Sequence, residues 1–386
     1  MARVGIASEW IGQNVGGPER YATELVEGVL AEDSPYEYSL FVPPSGRRFL
    51  ERLPRERFRA QVTAADSRWH FVPLGLPWKL RAHPVDLLHA TFSFAPWCPA
   101  DKVVLTVHDV TADVYPEFFP PLVGLRVRFL LRHGLERACR VLVPTEATRR
   151  ELLEHYRVEE EKIRVIPYGV EQAFASAEPD DEGPGDDPPG EFILYVGRFH
   201  VRKNLERLLE AFARLAPRYR DVTLLLVGRD FWDRRHVLET VARLGLGKQV
   251  SCPGHLSDRA LERLYRRARV FLYPSLHEGF GLPPLEAMAR GLPVLASRVS
   301  AMPEVLGDAA LLVDPFDVDD IAHGIDRLLS DDSLCRELAE RGRRRARAFT
   351  WQATARATVA VYHEVLENGN GRPKPPASVR DRGEGR

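Results

Sequence analysis

The sequence predicts an α/β protein: two Rossmann-like halves, each with a parallel sheet, facing one another across a central cleft. Three observations carry this. Short apolar runs recur along the chain, amphipathic segments separate them, and the pattern restarts after a break rich in Pro, Gly and acids. Strands buried on both faces, as in parallel sheets, read as brief continuous apolar runs. Strand–helix alternation over 386 residues has room for two such domains.

In chain order the expected strands of the first half are residues 3–7, 38–42, 87–90, 103–107 and 141–144. Those of the second half are 192–196, 223–227, 270–273, 294–296 and 310–313. Between them, residues 205–215 place apolar side chains at 205, 208, 209, 212 and 215, one face of a helix. Leu261 and Leu264 repeat that spacing in 258–268. Residues 175–191 hold four prolines, three glycines and a run of acids, so they read as a linker. The expected organisation is a first domain over 1–174, a second over 192–345, and a terminal helical segment over 346–366 that docks back on the first domain. The tail from 367 to 386 has no apolar period and is expected to be disordered.

Composition narrows the function. Lys+Arg is 54 and Asp+Glu 55, a balance that argues against a nucleic-acid coat. Cys98, Cys139, Cys252 and Cys335 are scattered, so no zinc ribbon or disulfide framework is expected, which fits a reducing, cytoplasmic setting. The first residues lack the apolar core of a signal peptide, and no run is long enough for a membrane-spanning helix. The expectation is a soluble protein that at most touches a membrane face. Residues 122–138 are apolar with Arg126, Arg128, Arg132 and Arg137. They read either as an interfacial helix that attracts anionic lipid or as an ordinary amphipathic core helix.

The densest motif follows the 270–273 strand. It runs from Pro274 to Val294 and holds Glu278 and Glu286 with seven residues between them. Gly279 and Gly281 flank Phe280, Pro283 and Pro284 suit a helix's first turn, and Gly291 suits its end. The amides of Phe280, Gly281 and Leu282 would then face outward from a helix N-terminus, an anion site suited to a diphosphate. Glu286, one turn in, would repel phosphate and should accept a neutral hydroxyl such as a ribose OH. The plainer alternative is a helix-end charge.

Arg198 and Lys203 lie after the 192–196 strand, where α/β sheets bind ligands. Lys203 is one of six lysines in an arginine-rich chain, and a fork plus a point charge suit two phosphates. Two solvated loop charges are the alternative. Gly16-Gly17 would let backbone approach a ligand across the cleft, although the spacing is no dinucleotide fingerprint. His108-Asp109 ends the 103–107 strand, a place for substrate contact, for a structural histidine, or for a metal phosphohydrolase, which would need further ligands. Asp317-Val318-Asp319 could hold a divalent metal, but acids leading straight into an amphipathic segment fit helix capping.

Taken together, the paired glutamates around Gly-Phe-Gly-Leu-Pro, the Ala-Met-Ala-x-Gly-x-Pro-Val that follows, and Gly-Arg-x(4)-Lys-Asn resemble the signature of family 4 retaining glycosyltransferases. The resemblance covers nearly the whole chain. It implies the GT-B fold and transfer of a sugar from a nucleotide-sugar, with retention and no cofactor or metal. It implies that Arg198 and Lys203 stabilise the leaving diphosphate. Phe280, Gly281 and Leu282 would hold phosphate and sugar, Glu278 sugar hydroxyls, and Glu286 the ribose. His108 would line the sugar and acceptor side, His255 and Leu256 would lie near the nucleobase, and Gly16 and Gly17 would close over the donor. Tyr168 stands where the family often has Asn, close to the interdomain crossing.

The implied activity is a hexosyl, expected mannosyl, transfer from GDP-mannose to a growing polysaccharide or glycolipid, with UDP-sugars as the rival donors. The partners are thus the donor, a glycan or lipid-linked acceptor, no nucleic acid, and peripheral contact with the inner membrane face. The alternatives are an epimerase of the same fold that hydrolyses UDP-GlcNAc, or a non-catalytic nucleotide-sugar-binding protein.

Overall fold

The computed structural model describes residues 1–171, 190–229 and 234–367. Thirteen strands form two parallel sheets among these residues. The first comprises β1 (Arg3–Ala7), β2 (Glu37–Val42), β3 (Phe58–Val62), β4 (Leu87–Ala90), β5 (Val103–Thr106), β6 (Arg140–Val143) and β7 (Ile163–Val165). Its order is β3-β2-β1-β4-β5-β6-β7. The second comprises β8 (Glu191–Val196), β9 (Val222–Val227), β10 (Val250–Gly254), β11 (Val270–Tyr273), β12 (Val294–Ser297) and β13 (Leu311–Val313), in the order β10-β9-β8-β11-β12-β13.

Each sheet therefore reverses its winding once, between β1 and β4 and between β8 and β11. Such switch points leave crevices at the carboxyl ends of the flanking strands. β3 and β7, which the apolar-run reading does not anticipate, are edge strands. β3 exposes Arg59 and Ala60 in succession and buries only Gln61, and β7 is three residues long, so neither makes a continuous apolar run.

The 175–191 linker falls largely outside the described residues, except that Gly190 precedes β8 and Glu191 opens it. The tail from 368 onward also lies outside them; Glu367 is helical. The Trp351–Glu367 helix crosses to the first lobe and packs on the Gly17–Ala31 helix. Gly28 makes room for Ala355. The buried Tyr362 hydroxyl meets His89 Nδ1 at 2.6 Å, and Lys102 Nζ caps the carbonyls of Val365 and Leu366 at 3.0 and 3.3 Å. Glu364 receives Arg140 and Arg164, each at 2.6 Å. Gly169 sits directly beneath Trp351, where a Cβ would collide with the helix backbone.

Candidate active site at the paired switch points

The loops after β8 and β11 meet at the second sheet's switch point. A short turn, Val201–Lys203, is pinned by Asn204, whose side chain donates to the carbonyls of Pro274 (3.0 Å) and Pro315 (2.6 Å). This aims Lys203 inward. Its buried ammonium donates to Glu278 Oε1 and to the Tyr273 hydroxyl. Arg202 donates to Glu278 Oε2 at 3.1 Å and to the His277 carbonyl at 3.2 Å, and lies 3.6 Å from Asp109 of the other lobe.

Burial opposes ionisation of Glu278, but Arg202 and Lys203 outweigh it and hold the carboxyl below its usual range. Burial pushes Lys203 down to about 8 against the pull of Glu278, and pushes Arg198 down to about 10 with help from Arg202. Asp109 is held down at about 2: burial acts against it, and Arg202 and His277 prevail. Three cations thus face two carboxylates, leaving a positive excess of the kind a diphosphate would neutralise.

The first lobe answers across the cleft. Gly16 adopts φ +80°, and a Cβ there would sit 4.0 Å from Arg198 Nε, so the Gly-Gly loop lies against that guanidinium. Gly17 opens the Gly17–Ala31 helix with open space around it. Glu19 shapes this loop by accepting the amides of Gly12 (2.8 Å) and Val15 (2.7 Å). Arg20 donates to Glu286 at 2.7 Å and to Glu171 at 2.9 Å. Tyr265 donates to the other oxygen of Glu286 at 3.2 Å. Both carboxylate oxygens of Glu286 therefore carry protein partners, where the sequence suggested an open acceptor. A ribose hydroxyl would share a lone pair or replace Arg20.

His108 departs further from expectation. Its Nε2 faces the Thr91 carbonyl at 2.8 Å, which can only accept, so Nε2 carries the proton. Nδ1 then accepts from the Tyr168 hydroxyl at 2.6 Å. Burial pushes the ring down to about 4, so it is neutral and fully engaged. It stacks on Phe92 with centroids 5.6 Å apart, and it has no proton to exchange without breaking these bonds.

Gly281 takes φ +93° and the Leu282–Ala289 helix follows. The amides of Phe280, Gly281 and Leu282 find no protein acceptor among the described residues. Pro283 and Pro284 lack N–H groups, so the donor set is this loop rather than a full helical turn. The Phe280 ring turns away and packs on Tyr168 (4.9 Å) and Phe349 (5.7 Å). His255 and Leu256 follow β10, two strands from β8 at the sheet edge, with His255 exposed.

Arg20 and Arg202 were not singled out by sequence. Arg20 stands one turn beyond Gly16-Gly17, but its partner is 266 residues away; Arg202 is hidden by the abundance of arginine. Asp317 accepts the amides of Asp319 and Asp320 and so caps the Val318–Ser330 helix. No group of three or more His, Cys, Asp or Glu side chains placed to hold a metal ion occurs among the described residues.

The lobes are latched directly. Thr145 and Thr148 donate to the Gly279 carbonyl at 3.0 and 3.2 Å. Glu304 accepts the amides of Glu146 and Ala147 at 2.8 and 2.9 Å. His277 bridges Thr111 (2.9 Å) and Glu151 (3.0 Å).

Comparison with known proteins agrees with this geometry. Residues 15–174 match Glycosyltransferase Family 4, and residues 177–345 match Glycosyl transferases group 1. The O-antigen chain mannosyltransferase B of Escherichia coli is 29% identical over 386 residues, covering 92% of this chain and 98% of that protein. The MMP alpha-(1->4)-mannosyltransferase of Mycolicibacterium hassiacum is 36% identical over 231 residues, covering 58% of this chain and 54% of that protein. Among solved structures, the sucrose-phosphate synthase of Thermosynechococcus elongatus superposes with TM-score 0.75 at 23% identity, covering 95% of this chain and 99% of that one. WaaG, a glycosyltransferase of lipopolysaccharide biosynthesis, gives 0.72 at 20%, covering 93% and 99%. With both lobes matched and the basic and acidic side chains gathered where their sheets reverse, the chain belongs to the family 4 glycosyltransferases of GT-B fold.

Proposed function

We propose that the protein is a retaining, metal-independent mannosyltransferase that uses GDP-mannose to extend a surface polysaccharide or glycolipid carried on lipid at the cytoplasmic membrane face. The observation that carries this is the pairing of Arg202 and Lys203 with Glu278 at the β8/β11 crevice, with Arg198 beside the Gly16 loop that faces it. Fixed cations aimed at a departing diphosphate lower the barrier without a metal. The likeness to the Escherichia coli O-antigen mannosyltransferase over nearly its whole length supports mannose and the polysaccharide acceptor.

In the proposed reaction the anomeric carbon–phosphate oxygen bond breaks as the acceptor oxygen bonds to the same face. The leaving phosphate oxygen takes the acceptor's proton. Arg198 and Lys203 stabilise its charge, and the loop amides at 280–282 hold phosphate. Glu278, kept ionised, accepts sugar hydroxyls. His108, neutral and held by Tyr168 and Thr91, lines the sugar side without moving a proton. Trapping a glycosyl-enzyme on a side chain overturns the single displacement.

The direct test is a thermal-shift screen of GDP, UDP, ADP and their sugars, because a ligand bound to the native state raises its melting temperature by mass action. GDP and GDP-mannose are expected to stand out, and turnover is expected to be unchanged in EDTA. A larger shift with UDP-sugars reassigns the donor, and a strict metal requirement removes the metal-free mechanism. Glu286→Ala is expected to weaken donor binding by about 1–3 kcal/mol, read by titration calorimetry. Because this residue also holds Arg20, an Arg20→Ala variant separates the two roles. An unchanged donor Kd in Glu286→Ala removes the ribose assignment.

A further inference from the structure

Where the chain leaves the first lobe, one phenol stands among residues of both lobes. The segment that follows β7 is fastened to the start of the terminal helix at two points. Thr354 Oγ1 donates to the Pro167 carbonyl at 2.7 Å, and the Val170 amide donates to the Phe349 carbonyl at 3.1 Å. Between these bonds the Tyr168 side chain is buried. Its ring lies 4.6 Å from that of Tyr21 on the Gly17–Ala31 helix, and 6.2 Å from Trp351, to which it is nearly parallel. On the second lobe it meets the Phe280 ring at 4.9 Å. Its hydroxyl donates to His108 Nδ1 at 2.6 Å. Tyr21 is itself held, its hydroxyl 2.9 Å from Thr106 Oγ1 and its ring edge-on to His108 at 5.0 Å. Phe280 belongs to the loop whose amides are assigned to phosphate, and Gly279 beside it stands close against the His108 backbone. Tyr168 therefore joins the terminal helix, the β11 loop and His108. Packing alone asks only for a ring here, which phenylalanine would supply; the hydroxyl is used on His108.

We propose that Tyr168 is a positioning residue of the transfer reaction: it fixes His108 on the first lobe against the Phe280 loop on the second, so that a diphosphate settling on that loop also sets the His108 ring. The inference rests on the glycosyltransferase reading above, which puts phosphate at the 280–282 amides and the sugar side at His108. Coupling between two places travels through contiguous packing and hydrogen bonds. Close-packed rings transmit a displacement instead of absorbing it, so a shift of Phe280 reaches the phenol. The hydroxyl carries it one step further, to Nδ1. The Thr91 carbonyl holds the opposite nitrogen at 2.8 Å, so the imidazole is pinned along one axis, and loss of the phenol hydroxyl frees it to turn. Tyr168 is buried and acts through these two neighbours.

The test is Tyr168→Phe in the full chain, which keeps the ring and removes only its hydroxyl, with Tyr36→Phe as control. The control deletes the same kind of bond, from the Tyr36 hydroxyl to His363 Nδ1 at 2.5 Å, at the amino end of the first sheet and away from the cleft. Tyr168→Phe is expected to lower kcat about tenfold, the scale of losing one buried hydrogen bond, with donor KM within about twofold of the parent. Tyr36→Phe is expected to keep both constants. Parental kcat in Tyr168→Phe overturns the proposal. So does an equal loss in the control, or a rise in donor KM that accounts for the loss. A second readout is the side-chain nitrogen NMR signal of His108. In the parent the Nδ1 resonance is expected to move when GDP or UDP is added, and in Tyr168→Phe that movement is expected to vanish. A parent signal that ignores both nucleotides, or a movement of equal size in the variant, overturns the proposal. Turnover is measured with whichever nucleotide-sugar the parent consumes, so a donor other than GDP-mannose corrects the earlier reading and leaves this one standing. If no sugar is transferred at all, the transferase reading fails and the nitrogen signal decides this one.

Discussion

Replacing Lys203 by alanine is expected to lower kcat by about 10²–10³-fold, the scale of losing one preorganised donor to developing negative charge. The ammonium is buried and shared between Glu278 and Tyr273, so it is already oriented before any diphosphate arrives. Removing it also strips one counter-charge from a buried carboxylate. Breaking a buried pair costs about 3–5 kcal/mol, and Arg202 remains on Glu278, so the loss should fall at the low end. Single-turnover rates at saturating donor, with a melting curve of the same preparation, separate the two effects. Activity within a few-fold of the parent would falsify the assigned role.

The same residue sets a pH limb. Burial holds Lys203 near 8, so its charge is lost as pH rises through that value, and kcat of the parent should fall there. Between about 8 and the ordinary lysine value of 10.5 the unfolded chain binds more protons than the native one. Stability against unfolding should therefore rise with pH across this window while activity falls. Lys203→Arg should flatten the alkaline limb of whatever activity it keeps.

The second large effect is expected from a single methyl group. A Cβ on Gly279 would fall inside the carbonyl oxygen of His108, on the opposite lobe. The backbone of Gly279 is not in the left-handed region, so alanine is locally acceptable and each lobe should fold. What it prevents is approach of the β11 loop to the first sheet, along with the Thr145 and Thr148 bonds to the Gly279 carbonyl. A displacement of about 1 Å at the reacting groups costs on the order of 10²-fold in rate. Gly279→Ala should therefore lose that much turnover with little change in nucleotide affinity, and small-angle scattering should report a larger radius of gyration. Parental activity in this variant would mean that the closed contact is not the productive one.

The central strands were legible because burial on both faces writes itself as unbroken apolar runs. Edge strands β3 and β7 were not, since one flank meets solvent or the strand is too brief to show a period. Glu278, Glu286, Arg198 and Lys203 were legible as residue types at fixed spacing. Their pairings were not. Arg20 on Glu286 and Arg202 beside Asp109 join residues from different lobes, and nothing local in the chain announces a partner so far away. Tyr168, noticed only as a departure from a familiar pattern, proves to donate to the His108 ring, whose tautomer the Thr91 carbonyl fixes.

The crossing of the Trp351–Glu367 helix has a consequence for biogenesis. Tyr362 reaches His89 across 273 residues of chain. During synthesis the first sheet leaves the ribosome long before the segment that roofs it, so its groove stays uncovered while nearly all of the second lobe is translated. A fragment ending at residue 171 should expose that groove and recruit chaperones or self-associate. Supplying residues 351–367 as a separate peptide should restore its solubility.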